Sequence, residues 1–489
     1  MIACVPYGRA VRAEFARSRA SSSSRFAVAG LGVAVLQGAG WWVVATQPLH
    51  DWGQLLGWQA LYATGLCVPL TALLVALTVA RERRAREGGT LWRPLSARVA
   101  LSARATVLAA ELVAFNAALT LPILLFGWSR GLADAPVGRL VGTWLALWLS
   151  SLLPAALALV LARIAGLYVT VGVAIVWQVA GTIASESASW GWQPWTWQVR
   201  AVLPLLGIHS NGVGLEPGSP IWSWSPVAPT TLSVLMAAAV VITSVLVPSV
   251  RLTRHRRITT QTPTEASRAR PIIGGVVTRG RARPMAGLAL SLRRTALPPL
   301  IAGTVVVLPL VAVIWDAAYL RGFSTWLVVP LGTCVMACLL WASQGGSWRV
   351  LALRAPVGRL AAGLLTLCLG VLTGVVAVAT GLVGVGGDAE AGRFGVVLWA
   401  TGAAWLTVCL WLATRFGAGA AIGATLVVLV VSVVFDSTYL ASTPLWLVGI
   451  LGWPEAVSGW ARAGTAVGLS TLLGVAAGWA WFRALHRAT

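Results

Sequence analysis

Few side chains in this 489-residue chain are of a type and spacing that does chemistry. Of the six cysteines, Cys4, Cys67, Cys334, Cys338, Cys368 and Cys409, five fall inside apolar runs, so no disulfide framework is implied. Cys334 and Cys338 share a helix face at i, i+4 spacing, but two thiols with no histidine or carboxylate nearby read as packing residues, and no metal site is expected. His50, His209, His255 and His486 are scattered. No catalytic triad or pair of carboxylates is present either, so no catalytic residue is assigned and the chain is read as a non-enzyme. All 36 basic residues are arginine, and a chain without lysine cannot form the G-x-x-x-x-G-K-[ST] loop whose lysine reaches the β and γ phosphates of a nucleotide. Any ATP-driven work therefore falls to a partner, and no cofactor is expected to bind directly.

Inside the apolar stretches one ionisable group stands out, Glu111. Such a group at membrane depth is a functional candidate by default. Its position about two turns from Arg104 also suits a structural or interfacial role. Asn116, on the same helix, is placed to hydrogen-bond across a helix interface.

The elements that position these residues are dictated by composition. The chain is 58% hydrophobic and 10% charged, against about 25% charged residues in soluble domains. Its apolar runs are of the length needed to cross a hydrocarbon core about 30 Å thick. The expected fold is an all-α integral membrane protein with about twelve transmembrane helices. The spans fall at 26–46, 58–80, 105–127, 140–162, 164–184, 227–249, 296–315, 325–342, 361–384, 394–413, 418–434 and 463–482. With both termini in the cytoplasm, thirty of the 36 arginines lie in inner segments, and only Arg130, Arg139, Arg200, Arg321, Arg393 and Arg462 lie outside. That asymmetry is the positive-inside rule, so the net charge of +22 reads as topology and not as a nucleic-acid footprint. Trp41, Trp42, Trp58, Trp128, Trp315 and Trp326 sit at outer ends of spans, the level that indole rings prefer.

The spans divide into a first half at 1–249, a cytoplasmic linker at 250–284 and a second half at 285–489. In each half the second span leads into a similar inner loop, REGGTLWRPLSAR at 86–98 and SQGGSWRVLALRAPVGR at 343–359. The first offers Glu87, Gly88, Gly89, Trp92, Arg93, Pro94 and Arg98. The second offers Gly345, Gly346, Trp348, Arg349, Pro356 and Arg359, with Gln344 where the first has Glu87. The recurrence points to an internal duplication. Its logic suits docking: the glycines break the preceding helix, and the Trp-Arg pair lies at the interface or inserts into a partner's groove. A plain connecting loop with a snorkelling arginine is the other reading. Two short basic amphipathic stretches, 9–19 and 285–295, are expected in the inner interface with arginines towards headgroups. Between the fifth and sixth spans of the first half, VRAVLPLLGIH at 199–209 is too short to cross and reads as re-entrant or interfacial, held at the outer surface by Trp190, Trp192, Trp195, Trp197, Trp222 and Trp224.

On these loops and on PWTWQVRAVLPLLGIHSNGV, the layout resembles ABC-2 type ABC-transporter permeases, in particular the permeases of lantibiotic-immunity and multidrug exporters. The resemblance covers nearly the whole chain and implies a fused pair of six-helix units in a bacterial cytoplasmic (inner) membrane. It further implies that the two loops couple to separate ABC ATPase subunits, two copies per chain, which carry ATP and Mg. The cargo it implies is a hydrophobic or amphipathic molecule such as a peptide antibiotic or drug. Two other classes stay open. A six-plus-six secondary transporter would use Glu111 to carry a coupling proton. A membrane scaffold would explain the sparse polar residues but not the repeated loops.

Overall fold

The computed structural model describes residues 6–19, 30–32, 34–35, 38, 52–87, 96–129, 131–246, 295, 297–314, 317–436 and 442–488. Most of the expected first span at 26–46, the linker at 250–284 and nearly all of the stretch at 285–295 lie outside them, as do Gly88, Gly89, Trp92, Arg93 and Pro94. Among the described residues nine helices are long and apolar enough to cross a membrane, which makes this a multi-pass membrane protein. The chain separates into two units, Met1–Val250 and Arg251–Thr489.

Unit 1 opens with α1 (Tyr7–Arg19), followed by the short α2 (Trp52–Gly57) and α3 (Cys67–Glu87), which together form one span interrupted by a π turn at Tyr62–Leu66. Then come α4 (Ala97–Ser129), α5 (Val137–Ile164), α6 (Leu167–Ala184), the short α7 (Trp197–Leu206) and α8 (Val227–Leu246). Unit 2 comprises α9 (Leu297–Ile314), α10 (Ala317–Phe323) and, after a π turn at Ser324–Val328, α11 (Val329–Gln344). It continues with α12 (Trp348–Arg354), α13 (Val357–Val385), α14 (Ala391–Arg415), α15 (Ala418–Phe435), the single turn α16 (Trp453–Ala456) and α17 (Trp460–Ala488).

One helix is the hub of each unit, and it occupies the same place in the order of spans. In unit 1 α5 packs on α3, α4, α6, α7 and α8; in unit 2 α14 packs on α11, α13, α15, α16 and α17. Both hubs are lined with small residues. Thr143, Ala146, Ser150, Ser151, Ala155, Ala158 and Ala162 are buried on α5, and Gly395, Ala400, Gly402, Ala404 and Ala413 on α14. In hydrocarbon, where apolar surface gains nothing by leaving lipid, such residues let backbones approach and gain dispersion contact. The closeness is measurable: a Cβ on Gly402 would stand 2.7 Å from Val329 Cγ1, and one on Gly474 of α17 would stand 3.5 Å from Ala404 Cα.

The two π turns share a cause. The first ends one residue before a Val-Pro-Leu tripeptide, Val68-Pro69-Leu70, and the second directly before another, Val329-Pro330-Leu331. A proline within a helix removes one N–H, and its ring presses on the carbonyl four residues earlier. Widening one turn relieves both: Cys67 N–H bonds to Tyr62 O and Val329 N–H to Ser324 O, each five residues back. The groups released in unit 1 are recovered by side chains. Gln178 of α6 accepts from Val68 N–H at 2.9 Å and donates to the carbonyls of Ala63 and Thr64 at 3.2 and 2.9 Å. Thr182 Oγ1 donates to Thr64 O at 2.6 Å, and Gln198 Nε2 of α7 to Ala63 O at 3.3 Å. Replacing Gln178 by leucine leaves the Val68 N–H buried without an acceptor, a loss of about 1–3 kcal/mol. The expected outcome is a lower unfolding temperature of the detergent-solubilised protein, which a thermal melt monitored by tryptophan fluorescence would show; an unchanged melt would mean the π turn needs no side-chain support.

Candidate functional site

The loop after the second span is fully described only in unit 2. There α11 runs to Gln344, Gly345–Ser347 tighten into a single 3-10 turn, and α12 follows at once. The α-helix ends at the glycines, but only into this tight turn. Gly345 keeps helical angles, φ −57° and ψ −38°, and the chain leaves helical geometry only at Ala355, which is extended at φ −152° and ψ 148°. The reason is the next residue, Pro356, which disfavours helical geometry in its predecessor. Trp348 turns inward: it is 1% exposed, its Nε1 donates to Leu485 O of α17 at 3.2 Å, and its ring lies 6.0 Å from that of Trp341. What α12 presents to solvent is Arg349, Val350 and Leu353, the last 88% exposed, with Pro356 and Arg359 exposed just beyond.

In unit 1 Glu87 closes α3, and Arg98 stands in the first turn of α4. The Arg98 guanidinium reaches the carbonyl of Leu246, the last residue of α8, at 3.5 Å. In unit 2 the Trp348 bond ends on α17, and Phe482 of α17 stands beside Gly358 at the start of α13. Each unit thus ties the segment after its second span to the end of its last long helix.

Glu111 is drawn to the same end by α1. Ser18 Oγ donates to Glu111 Oε1, and Tyr7 and Thr106 hydroxyls are 2.6 Å apart. Glu14, 5% exposed, meets Arg17 at 2.8 Å, Arg81 at 3.1 Å and Arg104 at 3.7 Å, while Arg104 also pairs with Glu82. Among the described residues these pairs bring Glu14, Glu82, Arg17, Arg81 and Arg104 together where α1 crosses α3 and α4. On α1, Ala10, Glu14 and Ser18 face the bundle, and Arg9, Arg12, Phe15 and Arg19 face out. The physical reason is that arginines at the end of the second and third spans offer a buried carboxylate more than lipid can. Asn116 is fully buried; its Nδ2 donates to Leu112 O at 2.9 Å, and its Oδ1 accepts from Tyr62 Oη at 3.4 Å, a bond across two helices.

At the other end of unit 1, α7 is a buried helix of ten residues, ended by Gly207 in the left-handed region at φ 68°. Of the six tryptophans expected to hold this segment at the surface, Trp192 is 92% exposed, but Trp197 is buried with its Nε1 on Trp190 O at 3.1 Å. Arg200 is held between Trp190 and Trp224, 4.6 and 3.6 Å from their ring centres, and donates to Ser185 O at 2.7 Å. His209 bridges Glu186 (Nδ1 to Oε2, 3.3 Å) and Glu216 (Nε2 to Oε2, 3.0 Å). The hydrogen bond to Glu216, then that to Glu186, raises the His209 pKa. Burial acts to raise Glu186, but the Ser210 N–H and His209 outweigh it and hold the carboxyl below its ordinary value.

Comparison with protein-family models, curated proteins and solved structures finds no match. The reading of this chain therefore rests on its own geometry.

Sequence reasoning passed over the polar grip on the π turn and the carboxylates around His209. The paired Val-Pro-Leu tripeptides were the available signal for the first; nothing in sequence spacing signals the second, because Glu186 and Glu216 converge only through the fold. Among the described residues no group of three His, Cys, Asp or Glu is placed to hold a metal ion. Cys334 and Cys338 are buried on α11, with Cys338 Sγ 3.8 Å from Ala418 O.

Two outcomes follow. Glu14→Ala strips the shared carboxylate from three arginines, so α1 should be released and cut by trypsin at least several-fold faster than in the parent protein, as a digestion time course would show. His209 has a raised pKa in the folded state, so its contribution to stability is complete below the unfolded value near 6.5 and is lost as pH rises through the folded value. Hydrogen-exchange protection of the 207–216 loop, corrected for intrinsic rates, should fall over that rise and stay flat in His209→Gln.

Proposed function

We propose that this protein is the membrane permease of an ABC exporter: about twelve spans in two six-helix halves, both termini cytoplasmic, driven by separate ATPase subunits. The observation that carries the reading is the tie between the loop after the second span and the last long helix of the same unit. In unit 2 a push on α12 reaches α17 through the Trp348–Leu485 bond, and α17 lies along the hub α14. In unit 1 Arg98 makes the corresponding link to α8, which lies along α5. A force delivered at these loops is thereby carried to the opposite end of each bundle by rigid helices, as a permease without its own nucleotide site requires.

The docking surface of the second loop is Arg349, Val350 and Leu353, with Trp348 as the inner anchor that turns docking into helix movement. The first loop, with Glu87, Gly88, Gly89, Trp92, Arg93, Pro94 and Arg98, supplies the second docking point. The cargo is hydrophobic or amphipathic, a peptide antibiotic or drug, because the spans offer few charged groups to anything polar. Glu111 and Asn116 serve the packing of α1 and α4 in this reading, not the cargo. The membrane is the bacterial cytoplasmic membrane, with ATP and Mg bound by the partner.

The test is affinity purification of the tagged chain co-expressed with its genomic neighbours, with mass spectrometry and an ATPase assay of the eluate. A stoichiometric ATPase should co-purify with the parent protein, and Leu353→Glu should reduce its recovery about tenfold, the equivalent of about 1.4 kcal/mol. Trp348→Ala should keep the partner and lose stimulation of its ATPase by cargo. A chain that purifies alone, or a partner retained in full by Leu353→Glu, would sink the proposal.

A further inference from the structure

The two units grip their π turns differently, and the difference is one of titratable chemistry. In unit 1 the short helix α7 brings the pair Trp197-Gln198 to the turn, with Trp197 buried and the Gln198 amide on Ala63 O. In unit 2 the single turn α16 brings Trp453 and Glu455 to the corresponding place. Trp453 is buried, and Glu455 Oε1 accepts from Thr325 Oγ1 at 3.1 Å. An amide holds one state at every pH; a carboxyl group does not.

Around Glu455 the charges do not balance. Arg321 of α10 binds Asp388 at 2.7 Å and lies 3.6 Å from Glu455. Arg393 of α14 pairs with Glu390. Arg462 of α17 is directed to Ala456 O at 3.5 Å and stacks over Trp446 at 5.7 Å. The fourth carboxylate, Asp436, follows the last turn of α15, and no cation among the described residues pairs with it. Among the described residues three guanidinium groups thus face four carboxylates, Asp388, Glu390, Asp436 and Glu455.

The packing makes this surplus charge mechanical. The segment Ile450–Gly452 is wedged between α15 and the π turn, with Leu451 N–H on Ser432 Oγ at 2.9 Å. Gly452 has no room for a side chain: a Cβ there would meet the Trp326 ring at 2.8 Å, Ser432 O at 3.2 Å and Asp436 Cβ at 3.3 Å. Asp436 and Glu455 therefore stand on facing elements with the wedge between them.

We propose that Asp436 and Glu455 make α16 a pH-sensitive latch, closed on the π turn when the pair shares one proton and loosened when both are charged. Closing needs a proton because Asp436 is part-buried beside the charge of Glu455 and no cation among the described residues pairs with it. Burial, then the charge of Glu455, pushes Asp436 up to about 7, so the change falls in the physiological range. Burial also raises Glu455, partly offset by Arg321 and Thr325, whereas the Glu390 N–H and then Arg321 hold Asp388 below its ordinary value and out of the exchange. Since a raised carboxyl binds more protons folded than unfolded, the latch is strongest on the acid side and is lost as pH rises through about 7. The device is independent of ATPase docking and is absent from unit 1.

The experiment is infrared difference spectroscopy of the full chain in lipid, following protonated carboxyl absorption as pH is stepped through neutrality. One carboxyl band should be lost near pH 7 in the parent protein, be missing from Asp436→Asn, and move to lower pH in Glu455→Gln, where the like charge is gone. A parent titration reproduced unchanged in Asp436→Asn would overturn the proposal. Should that variant fail to fold, hydrogen exchange of residues 446–456 in the parent protein decides: corrected protection that falls as pH crosses 7 supports the latch, and equal protection on both sides overturns it.

Discussion

Within hydrocarbon no water is present to satisfy a backbone N–H or C=O, so every such group must find a partner inside the protein. Most helices meet that requirement with their own ladders. The second span of each unit does not, because Pro69 and Pro330 force a wide turn, and much of the surrounding architecture answers the resulting need. In unit 1 two glutamines and a threonine from two other helices close on Tyr62–Leu66. In unit 2 a carboxylate and a wedged turn occupy the same region. The short helices α7 and α16, which would otherwise be loops of no obvious purpose, exist to deliver those side chains.

The constraint also explains why the hubs matter. A span with a widened turn is a poor strut, and α5 and α14 supply the stiffness that α3 and α11 lack. Their small buried residues allow contact along several neighbours at once, and the last long helix of each unit runs beside them. Segments at one end of the bundle are thereby linked to segments at the other through helices and not through loops. The tie of Trp348 to Leu485 and the reach of Arg98 to Leu246 gain their significance from this arrangement.

How much of this was legible in the sequence depended on the kind of signal. Runs of apolar residues located the helices well, since length against bilayer thickness is a one-dimensional test; the spans at 58–80, 105–127, 394–413 and 463–482 each fall inside a long apolar helix. That 199–209 is too short to cross was legible for the same reason, and the segment folds as the ten-residue helix α7. The direction of a single side chain was not. A Trp-Arg pair has no periodicity to say which member faces in, and Trp348 turned to the core, where its indole N–H meets the Leu485 carbonyl of α17. The glycines of that loop looked like helix breakers, and the α-helix does stop there, yet the chain leaves helical geometry only before Pro356, about two and a half turns later. Glu14 looked like one charge on a basic helix, and its three arginine partners come from three separate stretches of chain.

A π turn is, in effect, one residue more than the helix needs. Each residue of an α-helix advances the chain by about 100° around the axis, so the stretch before the turn is phased independently of the stretch after it. Before the turn only one face is covered, with Trp52, Leu55, Leu56 and Gln59 buried and Gln54 exposed; after it the helix is buried all round from Cys67 to Ala76. The span is therefore two helices spliced end to end. The portion that ends at Glu87 and the portion that begins at Trp52 can each keep their own set of contacts through insertions or losses that would unseat an unbroken helix.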